Sequence, residues 1–126
     1  MAHVLVVEQN DSFAKLISHH LAQEGVVVSH FGQAEDAWRA LQFQEFDLAI
    51  IDSTLPGMNG RQLISRIRQH RRHRAMPLLL VTGEFRDIDV AEYMHEYDLA
   101  GAFAKPVSLS MLTAAVLDNL PARSAS

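Results

Sequence analysis

The chain has 126 residues, the size of one ordinary domain, so we expect no attached catalytic or DNA-reading module within it. Hydrophobic residues make up 48% of the sequence, which is enough to bury a core and excludes wholesale disorder. The absence of cysteine excludes a disulfide framework and fits a reducing compartment. No apolar run is long enough to span a bilayer, and the amino terminus lacks a signal-peptide pattern. We therefore expect a cytoplasmic protein without a membrane partner.

The formal net charge of −4 conceals an uneven distribution of charge. Five of the eleven basic residues are arginines between positions 66 and 74, so six remain elsewhere against fifteen acidic residues. Cations near the carboxyl end of a helix are favoured by the helix dipole, so this run is typical of a helix end and the loop that follows it. Nucleic-acid binding is the alternative, but no aromatic residues are interleaved with the arginines. His70 and His73 lie in the same run, where neighbouring arginines disfavour a bound metal cation.

Five short apolar runs indicate β-strands. Many of their residues are β-branched, and three of the runs are continuous rather than alternating, which is typical of strands buried on both faces of a parallel sheet. The runs span residues 4–7, 26–28, 48–51, 78–81 and 102–104.

Between these runs, apolar residues recur at the spacing of an amphipathic helix. The predicted helices centre on residues 13–21, 34–41, 63–67, 90–97 and 109–120. Asn10 or Asp11 is expected to cap the first helix, and Ser108 the last. Strict alternation of strands and helices predicts an α/β fold with helices on both faces of the sheet. Residues 1–120 are expected to form one domain, followed by a tail at 121–126.

Chemistry-bearing side chains follow the strands at the point where each predicted strand ends. Ligand sites of open parallel sheets lie beyond the carboxyl ends of the strands, so these positions are the candidates for a functional site. They are Glu8, Gln9, Asn10 and Asp11 after the first run, Asp52, Ser53 and Thr54 after the third, Thr82 and Gly83 after the fourth, and Lys105 and Pro106 after the fifth. Carboxylates, hydroxyls and an ammonium group are therefore expected along one edge of the sheet.

Five short motifs carry a family resemblance. They are Leu-Val-Val-Glu at 5–8, Asp-Leu-Ala-Ile-Ile-Asp at 47–52, Leu-Pro-Gly-Met-Asn-Gly at 55–60, Leu-Val-Thr-Gly at 80–83 and Ala-Lys-Pro at 104–106. In this order and spacing they resemble the receiver domain of two-component response regulators, in particular the single-domain chemotaxis-regulator type. The resemblance covers residues 4 to about 120. It implies a flavodoxin-like doubly wound fold, with a five-stranded parallel sheet in the order 2-1-3-4-5.

The resemblance also implies a site at the strand ends. Asp52 corresponds to the phosphorylated aspartate, and a Mg²⁺ ion is implied beside it. The ligands implied for that ion are Glu8, Gln9, Asp52 and the main-chain carbonyl of Thr54. Thr82 and Lys105 correspond to the residues that contact the phosphoryl group and move toward it after phosphorylation.

The residue types suit that chemistry. Attack on phosphorus by Asp52 is an in-line displacement, in which catalysis consists mainly of positioning and charge neutralisation. Mg²⁺ prefers oxygen ligands. The Lys105 ammonium and the Thr82 hydroxyl can each bind a phosphoryl oxygen.

The resemblance implies a signalling module rather than a conventional enzyme, although such a domain assists its own phosphorylation and dephosphorylation. The expected phosphodonor is a histidine kinase or a histidine phosphotransfer protein. The output would be a contact with a downstream protein, or a homodimer, through the fourth helix, fifth strand and fifth helix. Nucleic acid is not an expected partner.

Two positions depart from the family pattern. Gln9 replaces the second of two acidic residues, so we expect Mg²⁺ to bind about 10- to 100-fold more weakly. Asp11 could compensate, but we expect it to cap the first helix instead. Ala102 replaces an aromatic residue, and Phe103 is expected to face the core because of its alternate position along the strand. The output surface would then switch by backbone and helix shifts, or Ala102 leaves space for a partner's side chain.

Alternatives from other classes remain open at this point. A phosphorylation-independent scaffold with the same fold is favoured by Gln9 and Ala102 and disfavoured by Asp52, Thr82 and Lys105. A flavodoxin-like flavin binder is disfavoured because residues 8–11 carry negative charge where a phosphate would bind. An aspartate-nucleophile phosphatase would need an acid two residues after its nucleophile, where Thr54 stands.

Overall fold

A computed structural model describes residues 1–83 and 90–121 of the chain, and the strands and helices alternate throughout. The elements are β1 (His3–Val7), α1 (Asp11–Ala22), β2 (Val27–Phe31), α2 (Ala34–Leu41), β3 (Leu48–Asp52), α3 (Gly60–Gln69), β4 (Leu78–Thr82), α4 (Val90–Tyr97), β5 (Gly101–Ala104) and α5 (Leu109–Asn119). The five predicted strands and five predicted helices are confirmed. Residues 122–126 of the predicted tail lie outside the described part. Within the described residues, no helix is long and apolar enough to cross a membrane.

The five strands form one parallel sheet in the order β2-β1-β3-β4-β5, which confirms the predicted topology. The central strand β3 pairs with β1 on one side and with β4 on the other, so that Ile51 lies opposite both Val7 and Leu80. The carboxyl ends of β1, β3 and β4 therefore meet at the same edge of the sheet.

The sheet separates two hydrophobic layers. Val4, Val6, Leu48, Ile50, Leu79 and Val81 pack against α1 and α5. Leu5, Val7, Ala49, Ile51, Leu78 and Leu80 pack against α2, α3 and α4. Successive side chains of a strand point to opposite faces, which explains why these strands read as continuous apolar runs. The same alternation determines to which face of the sheet a residue at the end of a strand directs its side chain.

The helix ends largely follow the expected caps. Asn10 caps α1: its side-chain oxygen accepts a hydrogen bond from the Phe13 N–H at 3.0 Å. The alternative, a cap by Asp11, is wrong because Asp11 already lies in the first turn of α1. Its negative charge there interacts favourably with the helix dipole. Ser108 caps α5 as predicted, with the Met111 N–H donating to its hydroxyl.

The start of α3 is fixed by a reciprocal pair of hydrogen bonds. The Asn59 side chain accepts from the Gln62 N–H at 2.9 Å, and the Gln62 side chain accepts from the Asn59 N–H at 3.0 Å. This capping box satisfies two amide groups that helix geometry leaves without partners. It also ends the loop that begins at Asp52, so the loop is held at both ends.

Candidate functional site

Three charged side chains meet on the face of the sheet that packs against α1 and α5. Glu8 continues the alternation of Val4 and Val6, and Asp52 continues that of Leu48 and Ile50. Lys105 lies two residues after Phe103, which packs in the same layer, and so continues the alternation of β5. Glu8 and Asp52 are 3% and 2% exposed, so the fold buries two carboxylates side by side at the strand ends.

The Lys105 ammonium lies between these two carboxylates. Its Nζ atom is 3.2 Å from Asp52 Oδ2 and 3.2 Å from Glu8 Oε1. Burial by itself would lower the pKa of Lys105, but the charges of Asp52 and Glu8 outweigh it and raise that pKa above its usual value. Lys105 is therefore a cation at neutral pH, and it neutralises part of the negative charge of the pair.

Glu8 occupies an environment that opposes its ionisation. Burial raises the pKa of its carboxyl group, and the neighbouring Asp52 raises it further. The Asn10 N–H, which donates to Glu8 Oε2 at 2.9 Å, acts in the opposite direction. Within the described part of the chain, two buried carboxylates thus face one ammonium group, and a further cation would complement their negative charge.

The Asp52 carboxylate is held in one orientation by contacts at both oxygens. Oδ1 accepts from the Thr54 N–H at 3.0 Å and from the Thr54 hydroxyl at 3.1 Å, while Lys105 contacts Oδ2. The sequence indicated Thr54 for its main-chain carbonyl only, and the bonds from its N–H and hydroxyl were not foreseen. Oxygen Oδ2 therefore lies beside a cation, while Oδ1 serves to orient the group.

These residues line an open pocket of about 370 Å³. Its lining consists of Glu8, Gln9, Asn10, Asp52, Thr54 and Lys105. The four residues that the sequence indicated as metal ligands therefore all line this pocket, and Gln9 is an exposed residue at its solvent side.

The donor atoms of this pocket suit a hard cation. Glu8 and Asp52 bring carboxylate groups to it, and Gln9 and Thr54, which also line it, carry amide and main-chain carbonyl oxygens, the ligand type that Mg²⁺ prefers. Across residues 1–83 and 90–121, no three acidic or histidine side chains gather closely enough to hold a metal ion. A cation here would rely on two carboxylates and on neutral oxygens, as the replacement of an acid by Gln9 predicts.

Thr82 lies on the other face of the sheet. It continues the alternation of Leu78 and Leu80, which pack against α2, α3 and α4, and its side chain is fully buried. Its Oγ1 atom accepts a hydrogen bond from the Ser53 hydroxyl at 2.7 Å. The sequence placed Ser53 at the strand end without assigning it a role, because the register that sets Ser53 opposite Thr82 is a property of the folded sheet.

Arg68 lies in the last turn of α3, where the helix dipole favours a cation as the basic run predicts, and its side chain also makes specific contacts. Its half-buried guanidinium donates to four main-chain carbonyls, those of Tyr97 at 2.6 Å, Arg74 at 3.0 Å, Met76 at 2.8 Å and Asp98 at 3.0 Å. The sequence did not indicate these contacts, because it cannot show that the ends of α3 and α4 converge. Arg68 ties the loop after α3 to the end of α4.

Other residues of the basic run also contact side chains elsewhere in the chain. Arg66 lies over the Trp38 ring at 6.0 Å, and Arg72 pairs with Glu45 at 3.8 Å. His70 and His73 follow the end of α3, with their rings stacked at 4.8 Å. His73 is buried, and its Nε2 donates to the Leu41 carbonyl at 2.8 Å. These contacts give the run a structural role, which disfavours its use as a phosphate-binding surface.

Phe103 and Ala102 of β5 face opposite layers of the core. Phe103 packs in the layer of α1 and α5, which confirms that it faces the core. Ala102 packs in the opposite layer, the one that contains Tyr93 of α4, and Met94 and Tyr97 border it. The side chains of Tyr93, Met94 and Tyr97 on α4 therefore pack toward this layer.

Comparison with known proteins identifies the family of the chain. The sequence profile of the response regulator receiver domain matches residues 4–117. The uncharacterised transcriptional regulatory protein YcbL of Bacillus subtilis (strain 168) is 30% identical over 112 residues, which cover 89% of this chain and 48% of that protein. The chain spans about half the length of this curated relative, and less of others.

Solved structures show the same fold. The chemotaxis response regulator CheY4 of Vibrio cholerae matches with a TM-score of 0.85 at 25% identity, over 95% of this chain and 99% of that one. A response regulator receiver protein from Pseudomonas putida matches with a TM-score of 0.82 at 28% identity, over 93% and 96% of the two chains.

The chain therefore belongs to the response regulator receiver domain family, and its function is that of a receiver in phosphorelay signal transduction. Domains of this family are phosphoacceptors of two-component systems and generally bind Mg²⁺.

Proposed function

We propose that this receiver accepts a phosphoryl group on Asp52 from a histidine kinase or a histidine phosphotransfer protein. The observation that carries the proposal is the position of the Lys105 ammonium, 3.2 Å from both Asp52 and Glu8 at an open pocket. A nucleophilic carboxylate beside a fixed cation is the arrangement that phosphoryl transfer requires, because its transition state spreads negative charge over the phosphoryl oxygens.

The proposed step transfers the phosphoryl group in one displacement. An Asp52 carboxylate oxygen forms a bond to phosphorus while the bond from phosphorus to the donor's imidazole nitrogen breaks. The electron pair of that bond leaves with the imidazole, which takes its proton from solvent. Lys105 binds the phosphoryl oxygens, and Thr54 holds the Asp52 carboxylate in place.

Glu8, Asp52, the Thr54 carbonyl and the Gln9 amide are the groups that would hold Mg²⁺. The ion, when bound, would neutralise further charge on the phosphoryl oxygens. Gln9 supplies a dipole where a second carboxylate would supply a full charge, so the proposed affinity is lower by about 10- to 100-fold than with an acid there. The buried Glu8 and Asp52 remain the principal ligands.

The proposed output is a protein contact rather than nucleic-acid binding. Arg66, Arg68 and Arg72 of the basic run already contact other groups of the described structure, which argues against a dedicated phosphate-binding surface. The proposed surface comprises α4, β5 and α5, for a downstream protein or a second copy of the chain. Because Ala102 offers no large ring, the surface would respond through shifts of backbone and helices. We propose a cytoplasmic setting and no enzymatic role beyond the domain's own phosphoryl chemistry.

Incubation with acetyl phosphate and Mg²⁺, followed by intact mass measurement, tests this function. The wild-type chain is expected to gain the mass of one phosphoryl group, and the gain should disappear on removal of Mg²⁺ with a chelator. Asp52→Asn, which keeps the shape of the side chain, is the matched control and should gain nothing. Absence of an adduct in the wild type, or an equal adduct in Asp52→Asn, would refute the proposal.

A further inference from the structure

We propose that Ser53 is a positioning residue that restrains Thr82 in the resting state and so sets how readily phosphorylation switches the domain. The inference rests on the proposed function, because it concerns the approach of Thr82 to a phosphoryl group on Asp52. It arises from one hydrogen bond, in which the Ser53 hydroxyl donates to Thr82 Oγ1 at 2.7 Å.

The two residues are neighbours across the sheet. The Ser53 N–H donates to the Val81 carbonyl at 2.9 Å, which extends the pairing of β3 and β4 by one residue beyond Asp52. The register that places Asp52 opposite Val81 also places Ser53 opposite Thr82. Paired residues of parallel strands present their side chains on the same face, so the two hydroxyls meet without any distortion of the backbone.

Asp52 and Thr82 lie on opposite faces of the same edge. Asp52 belongs to the face of α1 and α5, where Glu8 and Lys105 also lie, and Thr82 belongs to the face of α2, α3 and α4. A phosphoryl group on Asp52 therefore forms on the side away from the resting Thr82 hydroxyl. Thr82 must turn around the strand end before it can donate to that group.

Ser53 cannot follow this movement, because its main chain is bonded into the sheet through Val81. The bond between Ser53 and Thr82 is consequently made in the resting state and lost in the switched state. An interaction shifts an equilibrium only through the difference it makes between two states, and this bond makes such a difference. The net contribution of an ordinary hydrogen bond corresponds to roughly a two- to tenfold change in an equilibrium constant.

Ser53→Ala tests the inference, with beryllofluoride as the phosphoryl mimic and acetyl phosphate as the donor. In the presence of Mg²⁺, the variant is expected to bind beryllofluoride roughly two- to tenfold more tightly than the wild type, and to form the acetyl-phosphate adduct faster. Its unfolding midpoint in urea should fall slightly, because a resting-state hydrogen bond is lost. If Ser53 had a purely structural role, its loss would not lower stability and at the same time tighten beryllofluoride binding.

Two further variants make the test specific. Ser53→Thr retains the hydroxyl and should behave like the wild type. A double-mutant cycle with Thr82→Ala removes the acceptor, so Ser53→Ala should have no effect on beryllofluoride binding in that background.

The outcomes separate the two proposals. If the wild type binds beryllofluoride but Ser53→Ala binds it equally or more weakly, Ser53 does not restrain the switch and this inference is overturned. The same holds if Ser53→Ala has an equal effect with and without Thr82. If the wild type neither binds beryllofluoride nor forms an adduct, the proposed function itself is overturned, and the role of Ser53 with it.

Discussion

Gly60 lies directly against the main-chain carbonyl of Asp52, and a Cβ atom added to Gly60 would overlap that oxygen. The Gly60 N–H also donates to the Ser53 carbonyl at 3.3 Å. The first residue of α3 is therefore packed onto the end of β3, at the residue proposed to accept the phosphoryl group. This contact fixes the length and path of the loop between them.

Gly60→Ala is expected to destabilise the fold, although alanine is the better helix former. Helix propensity favours the change by up to about 1 kcal/mol. Overlap with backbone that cannot move should exceed this gain, for a net loss of about 1–3 kcal/mol in the free energy of unfolding in urea. Gly83→Ala is the control, because among the described residues nothing beyond its chain neighbours lies within 4 Å of its Cβ position, and it should change stability little. Equal effects of the two substitutions would contradict the packing argument.

Gln9→Asp is expected to tighten Mg²⁺ binding by about 10- to 100-fold, because it restores a carboxylate to the exposed side of the pocket. Isothermal titration calorimetry with MgCl₂ measures the affinity. Gln33→Asp adds the same charge at the start of α2, outside the residues that line the pocket, and should leave the affinity nearly unchanged. If Gln9→Asp binds Mg²⁺ no better than the wild type, Gln9 is not a ligand position.

Arg68→Lys is expected to lower the free energy of unfolding by about 2 kcal/mol. A lysine ammonium cannot reach four carbonyls on two sides as the guanidinium does, so several of these carbonyls, two of them in partly buried hydrogen bonds, lose their donor. Urea unfolding followed by circular dichroism gives the value. Arg71→Lys, at an exposed position of the same run, should be nearly neutral. A neutral Arg68→Lys would show that these hydrogen bonds contribute little.

Tyr93 makes the stability of the fold sensitive to alkaline pH. Burial raises the pKa of its hydroxyl from 10.0 to about 12, and Tyr97 adds to the effect. The folded state favours the neutral phenol, so this contribution to stability is complete below pH 10 and is lost as the pH rises toward 12.

Tyr93→Phe should therefore lose less stability than the wild type between neutral pH and about pH 11. At neutral pH it should be at least as stable, because the Tyr93 hydroxyl is buried and has no hydrogen-bond partner among the described residues. Urea unfolding at the two pH values gives the loss of unfolding free energy for each protein. In the comparison of the two proteins, the contributions of all other titrating groups cancel. An identical loss in both proteins would contradict the role of Tyr93.

Much of the fold could be predicted because the inner strands are buried on both faces of the sheet. Both sets of alternating side chains are then apolar, and each inner strand appears in the sequence as a continuous apolar run. The least accurate boundary was that of β2, which extends to Phe31 rather than ending near Val28. This strand lies at the edge of the sheet and pairs only with β1, so it tolerates polar residues such as Ser29 and His30. Hydrophobic pattern alone could not distinguish those residues from a loop.

The sequence by itself determined the alternation of strands and helices, the order of the sheet through its family motifs, and the collection of Glu8, Asp52 and Lys105 at the strand ends. These follow from local periodicity and from chain order. Only the tertiary structure decided that Ser53 donates to Thr82 and that Arg68 binds the end of α4. Both depend on strand register and helix convergence between segments about 30 residues apart, which are set by packing of the whole core and leave no local mark in the sequence.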